Sequence, residues 1–293
     1  MSAIAFYAVM AIVYPLSLLP LSVLYLFADI IYYIIYYVFR YRRQVVGTNL
    51  RKSFPGKSEE EIQSIAGKFY RNLCDILVEN IRMVSISKAE VAKRCKIKNI
   101  ELLENYYRQR QSVIATIGHC GNWELAGLAT SLAVKHHSIA FYRTLRNSYF
   151  DRFVVRMRAK FGMELLPHRQ VRQMLNQESS SQPNMYIFIT DQTPLNAQTS
   201  HWLTFLNQDT PVYKGTEKMA KRTGHPVVFG DIQRIRRGYY CIEVSLLTDN
   251  PARMKEGEIT ELHTRALEKA IIKNPDNWLW THRRWKREKP GNR

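Results

Sequence analysis

Charge is absent from the first 28 residues of this 293-residue chain, cysteine is scarce, and acids are outnumbered. Each shortage excludes something. Cys74, Cys95, Cys120 and Cys241 are scattered without metal-ligand spacing, which argues against a zinc site or a disulfide framework and for free thiols in a reducing compartment. No basic residues precede the apolar start, so it does not read as a cleaved signal peptide. No Gly-x-Ser-x-Gly elbow occurs, which speaks against a serine acyl-enzyme. Neither an internal repeat nor a low-complexity stretch divides the chain.

What is present begins with the apolar end itself. Asp29 is the only charge before Arg40, and about 20 apolar residues suffice to cross a bilayer. Residues 1–39 are therefore expected to be a membrane-anchoring helix and residues 40–293 one catalytic domain. Pro15 and Pro20 can kink the anchor, and a straight helix from Ala3 to Phe39 would be about 55 Å long against a hydrocarbon core of about 30 Å. It can span once, or bend and lie partly in the interface. Tyr32, Tyr33, Tyr36 and Tyr37 suit the headgroup level, and Arg40, Arg42 and Arg43 behind them place the rest of the chain in the cytoplasm by the positive-inside tendency.

Lys and Arg number 43 against 25 acids, a formal charge of +18. Such a surface attracts a polyanion, and beside an apolar anchor membrane phosphates are the nearer target. Eight basic residues against two acids lie between Phe141 and Leu175, and the last thirteen residues add Arg283, Arg284, Lys286, Arg287, Lys289 and Arg293. None of these segments reads as a nucleic-acid motif, so no nucleic acid is expected.

Ser58 and Glu61 form a capping box ahead of an amphipathic helix whose buried face is marked by Ile62, Ile65, Ala66, Phe69, Leu73, Ile76, Leu77 and Val84. Short apolar runs then predict strands at Val113–Ile117, Ser138–Tyr142, Met185–Thr190, Val227–Ile232 and Tyr240–Leu246. Helices are predicted at Trp123–Val134, Tyr149–Phe161, Val171–Gln177 and Thr216–Arg222, and Arg236-Arg237-Gly238 reads as a hairpin turn. The alternation predicts an α/β fold with a mainly parallel central sheet flanked by helices. In such sheets reactive groups gather beyond the carboxyl ends of strands, where both His119 and Asp191 fall, so the two are expected to share one cleft.

His119 and Glu124 are five positions apart at the end of a predicted strand, a spacing expected by chance roughly 0.7 times in this composition. The context is what singles the pair out. His263 and Glu268 share the spacing but fall on one helix, where such positions point about 140° apart. His119 can sit on a turn with Glu124 on the first turn of the next helix, so the two can converge. Neutral imidazole is suited to take a hydroxyl proton near neutral pH, and a carboxylate on its other nitrogen would fix the tautomer. Cys120, beside His119, reads as a packing residue rather than a nucleophile.

Gly118-His119 through Trp123-Glu124, Tyr142-Arg143, Arg156-Met157-Arg158 ahead of Phe161-Gly162, Asp191-Gln192, and the block from Asn274-Pro275 to Trp285-Lys286 together carry a resemblance. The chain resembles the lipid A late acyltransferases, the lauroyl/myristoyl acyltransferase family within the lysophospholipid acyltransferase group, nearly end to end. The resemblance implies transfer of an acyl chain from acyl carrier protein to a hydroxyl of a lipid A precursor, on the cytoplasmic face of a Gram-negative inner membrane, without metal or cofactor. It implies His119 and Glu124 as the catalytic pair, and Arg156 and Asp191 as further active-site positions. Arg143, Arg158 and Gln192 complete the expected substrate-binding set. Arg156 and Arg158 diverge on a helix, and Arg156 is the one expected to grip phosphate. Asp191 alone would more often cap a turn. Trp278, Trp280 and Trp285 are expected to pack on the core from a terminal helix. Val212-Tyr213-Lys214-Gly215-Thr216-Glu217 departs from the family's Thr-Thr-x-Gly-like stretch, and Lys214 and Glu217 are expected to bring charge toward the acceptor. A glycerolipid, aminolipid or glycolipid acceptor is the alternative for the same dyad, and a membrane-tethered module binding polyanions is the non-enzymatic one.

Overall fold

An apolar run such as Val113–Ile117 has no polar face to offer water and needs cover on both sides. In a computed structural model, which describes residues 3–167, 170, 182–194 and 196–289, this run takes the centre of a seven-stranded sheet. The strands are β1 (Cys95–Lys98), β2 (Val113–Ile117), β3 (His137–Tyr142), β4 (Glu164–Pro167), β5 (Asn184–Ile189), β6 (His201–Phe205), β7 (Gln208–Val212), β8 (Val227–Arg236) and β9 (Tyr239–Thr248). Their order in the main sheet is β1-β9-β8-β2-β5-β3-β4, and β6 pairs with β7 apart from it. All neighbours in the main sheet run parallel except the β8–β9 hairpin, which turns at Arg237-Gly238.

The expected mainly parallel α/β architecture is therefore present, with all five expected strands. The strands that were not foreseen are short. β1 and β4 close the two edges with Lys96, Lys98, Glu164 and Pro167, residues that suit an edge and carry little apolar signal. The predicted helix at Val171–Gln177 lies outside the described residues, as do Arg169, Arg172 and Arg293.

The helices are α1 (Ala3–Leu18), α2 (Leu21–Tyr33), α3 (Arg43–Ser53), α4 (Glu59–Arg82), α5 (Lys88–Arg94), α6 (Ile100–Arg108), α7 (Trp123–Ala133) and α8 (Ser148–Arg158), followed by Gly215–Thr223 and Glu258–Lys273. The expected capping box opens α4, with both Ser58 and Glu61 side chains engaged. Its buried face is wider than periodicity predicted: Cys74, Asp75, Val78 and Glu79 are covered as well, while Leu77 faces out. The cover is α2, whose Leu21, Leu24 and Ala28 pack on Cys74 and Val78.

The N-terminal segment expected as a single anchoring helix is two helices, broken at Leu19-Pro20 rather than at Pro15. Proline at that point offers no N–H to continue the first helix. Beyond Tyr33, a π-helical turn over Ile34–Val38 prolongs the second. The tyrosine band divides by helical spacing: Tyr32 and Tyr36 stack together with Tyr36 against Tyr70, whereas Tyr33 and Tyr37 are exposed. Part of the basic collar is used in packing, since Arg42 donates to Thr281 O at 2.9 Å and the Arg43 guanidinium lies 4.5 Å from the Tyr36 ring centre.

Candidate active site

β2 and β5 lie side by side and parallel, and the pairing extends one step further where Thr190 N donates to Ile117 O at 3.1 Å. Their carboxyl ends therefore leave the sheet together. The turn after β2 presents His119 and the turn after β5 presents Asp191. Gly118 makes the close approach possible, because a Cβ there would press to 2.5 Å from a methyl of the buried Leu267. Gly121 has φ +50°, a left-handed conformation that favours glycine, and Asn122 then caps α7 by accepting from Leu125 N at 2.9 Å.

Asp191 is buried and takes three donors. His119 Nδ1 lies 2.6 Å from its Oδ1, and the His119 backbone N–H and the Trp278 Nε1–H reach its Oδ2 at 2.9 and 2.7 Å. Burial works against its negative charge, but the histidine and these donors outweigh that and hold its carboxyl well below the usual range. An ionised Asp191 makes Nδ1 of His119 the protonated nitrogen and leaves Nε2 with its lone pair. Burial likewise opposes charge on His119, yet Asp191 prevails and raises the imidazole above its ordinary value. Nε2 receives the Gln192 side-chain amide at 3.1 Å on the exposed side of the ring.

Glu124 is placed differently from expectation. Its carboxylate is gripped by Arg158 in bidentate fashion, Nε to Oε2 at 2.7 Å and Nη2 to Oε1 at 2.5 Å, and the ring nitrogen assigned to it is occupied by Asp191. The physical reason is the strand pairing: the β5 turn arrives beside Nδ1, whereas α7 turns Glu124 toward α8. Glu124 still acts on His119 through space, its charge favouring the imidazolium. The two arginines of α8 diverge as expected, with Arg158 paired to Glu124 and Arg156 exposed. Arg143 is exposed on the loop after β3.

The C-terminal block is not a helix. The helix Glu258–Lys273 stops at Asn274-Pro275, and a 3-10 turn over Pro275–Asn277 leads into an irregular passage, with Cys120 bridged to Trp278, Gly121 N donating to Asn277 O at 2.8 Å and Leu279 N to His119 O at 3.1 Å. Trp278 and Trp280 are buried, as packing residues should be, but Trp278 also holds Asp191, a role the sequence did not signal. His282, pushed down to about 4 by burial, is neutral and accepts the Thr193 N–H at 3.2 Å, steadying the turn that carries Asp191 and Gln192.

Glu217 does not face a substrate. It is buried and accepts from Gly257 N, Thr260 N and Thr260 Oγ1 at 2.6, 3.1 and 2.6 Å, so it caps the helix Glu258–Lys273. That helix starts at Gly257 without a side-chain cap of its own, which is why a distant carboxylate serves. Lys214 pairs with Glu256 at the surface.

An apolar cavity lies beneath this end of the sheet, between it and α7. Ile117, two residues before His119, is in its wall with Ala126, Gly127 and Thr130 of α7 and Gly230 and Ile232 of β8.

The model of the family described as bacterial lipid A biosynthesis acyltransferase matches residues 1–287. The lipid A biosynthesis palmitoleoyltransferase of Escherichia coli strain K12 is 21% identical over 249 residues, covering 84% of this chain and 79% of that protein. A lipid A biosynthesis acyltransferase of Haemophilus influenzae is 22% identical over 247 residues, covering 84% and 78%. The match over nearly the whole length, with the turn after β2 and the C-terminal block both inside it, makes this chain a member of the bacterial lipid A biosynthesis acyltransferase family.

Proposed function

We propose that the chain is a membrane-anchored O-acyltransferase that moves a fatty acyl group from acyl carrier protein to a hydroxyl of a lipid A precursor, with His119 as general base and Asp191 as the group that orients it. The observation that carries this reading is that the Nδ1–Asp191 contact leaves His119 Nε2 as the acceptor nitrogen, where it holds the Gln192 side-chain amide at 3.1 Å. An acceptor hydroxyl that displaces Gln192 gives its proton to Nε2 as its oxygen attacks the thioester carbonyl. The ester C–O bond forms, the C–S bond breaks, and the imidazolium returns the proton to the leaving thiolate. Asp191 stabilises the imidazolium at the other nitrogen. Arg158, fixed by Glu124, keeps further N–H donors for the developing oxyanion or a lipid phosphate, and Arg143 and Arg156 extend that positive surface.

Membrane anchoring is supported by one run. Leu21–Val38 is 18 residues with mean hydropathy 1.8 and mostly unburied, about 27 Å long as a helix. The arginines that follow it favour the cytoplasmic face of the inner membrane.

The test is a lipid mass spectrum of cells lacking the protein, complemented with wild type or H119A. Loss of one acyl chain from lipid A, restored by wild type and not by a folded H119A, is expected. An unchanged acyl count, or a different lipid that loses a chain, overturns the assignment of acceptor; full restoration by H119A overturns the assigned base.

A further inference from the structure

Helix α4 carries three polar residues, Asn72, Asp75 and Glu79, at spacings of three and four, so they share one face. That face lies against the molecule rather than water. Asp75 and Glu79 are each 3% exposed. Asp75 takes Arg234 and Arg237 of the β8–β9 hairpin, both at 2.6 Å. Asn72 donates to Asp276, just ahead of the Trp278 that holds Asp191. Among the described residues no cation forms an ion pair with Glu79. Its Oε1 accepts from Tyr25 of α2 at 2.9 Å, and its Oε2 accepts from Tyr240 at 2.7 Å and from Asn122 Nδ2 at 2.9 Å.

Asn122 ends the catalytic turn, three residues after His119, and its other side-chain atom caps α7. A buried carboxylate is costly unless its lone pairs are met. Here they are met by one group from the N-terminal helix, one from the sheet and one from the catalytic turn, so all three are tied at a point away from the reacting atoms. A second strut ties α2 to α4 and the hairpin: Arg237 joins Asp75 to Asp29 of α2, both at 2.6 Å.

We propose that Glu79 is a positioning residue that couples α2, through Tyr25, to the catalytic turn, through Asn122, so that the apolar N-terminal helix is a working part of the active site and not only a tether. The inference rests on His119 being the base, but the coupling is a property of the fold and is measurable without turnover. Glutamine at 79 keeps the shape of the side chain but replaces one acceptor oxygen with a donor, which faces either Tyr25 or the pair Asn122 and Tyr240. Phenylalanine at 25 removes the single donor that α2 contributes.

The experiment uses the full chain in detergent micelles, with ring-labelled histidine and the His119 resonance assigned by its absence in H119A. In E79Q and in Y25F the His119 titration midpoint is expected to fall relative to wild type, as the ring loosens from Asp191, with the smaller fall in Y25F. Acyl transfer by E79Q is expected to lose about 10- to 100-fold in kcat with KM nearly unchanged, the cost of a misplaced catalytic group. Midpoints equal to wild type in both variants overturn the proposal, as does a lower melting temperature with an unmoved midpoint. If E79Q does not fold, Y25F decides alone, and an unmoved His119 there sinks the coupling to α2. A wild type that transfers no acyl chain to a lipid A precursor refutes the functional reading instead, and the histidine titration still judges Glu79.

Discussion

Trp278 donates its indole N–H to Asp191 Oδ2 at 2.7 Å across 87 residues of chain, so the carboxylate that meets His119 is fixed from the C-terminal segment. Asp191 is thereby held against the ring, and its charge, working against burial, helps to raise the pH at which His119 changes charge.

The base must be neutral to accept a proton, and its folded value is raised. The acid limb of the kcat/KM profile is therefore expected above the ordinary imidazole value of about 6.5. In D191N the larger raising influence disappears while burial and the smaller pull of Glu124 remain, so the limb should move to lower pH even as the maximal rate falls by about 100-fold. A limb that stays in place would remove Asp191 from the mechanism.

Arg158 and Arg156 are two residues apart and should behave very differently. R158A leaves the largely buried Glu124 carboxylate without its bidentate partner, a loss of about 1.5–3 kcal/mol for charged hydrogen bonds. R156A removes an exposed cation and is expected to raise KM for a phosphorylated acceptor with little change in stability. Thermal melts and steady-state kinetics of the two variants, compared at equal salt, read this directly.

Cys120 adjoins the base yet is buried, and burial pushes its thiol well above the ordinary range. Alkylating reagents at neutral pH should leave the native enzyme active, and C120A should retain transfer with a loss of stability on the order of 1 kcal/mol. Inactivation by iodoacetamide with modification mapped to Cys120 would contradict this.

Glu217 acts on folding. Replacing it by Ala frees Gly257 N, Thr260 N and Thr260 Oγ1 at the start of the helix Glu258–Lys273, and a destabilisation of about 1.5–3 kcal/mol is expected in denaturant melts. Activity per folded molecule should be nearly unchanged, since the residue does not reach His119.

Much of the sheet was legible because strands such as Val113–Ile117 and Met185–Ile189 are continuous apolar runs, and that pattern reports burial directly. His119 and Asp191 were legible as residues beyond strand ends. Their sharing of one cleft was legible too, but not the direct hydrogen bond, because periodicity describes which face is covered and says nothing of which strand lies next to which; β5 sits beside β2 although β3 and β4 intervene in the chain. The partner of Glu124 is hidden for the same reason: proximity in sequence points to the His119 ring, whereas Asp191 of the β5 turn takes Nδ1 and Glu124 meets Arg158. Glu79 left a trace that went unread: acids at 75 and 79 interrupt the covered stripe of α4, which a helix tolerates only where partners wait for them.

Helix α8, which brings Arg158 to the site, buries none of its own residues. Its Tyr149, Phe150 and Phe153 rest instead on Phe6 of α1, at ring separations of 5.8, 5.1 and 6.1 Å. The helix that carries Arg158 thus leans on an aromatic cluster reaching back to the sixth residue of the chain, so the surroundings of that first helix bear on how Arg158 is held.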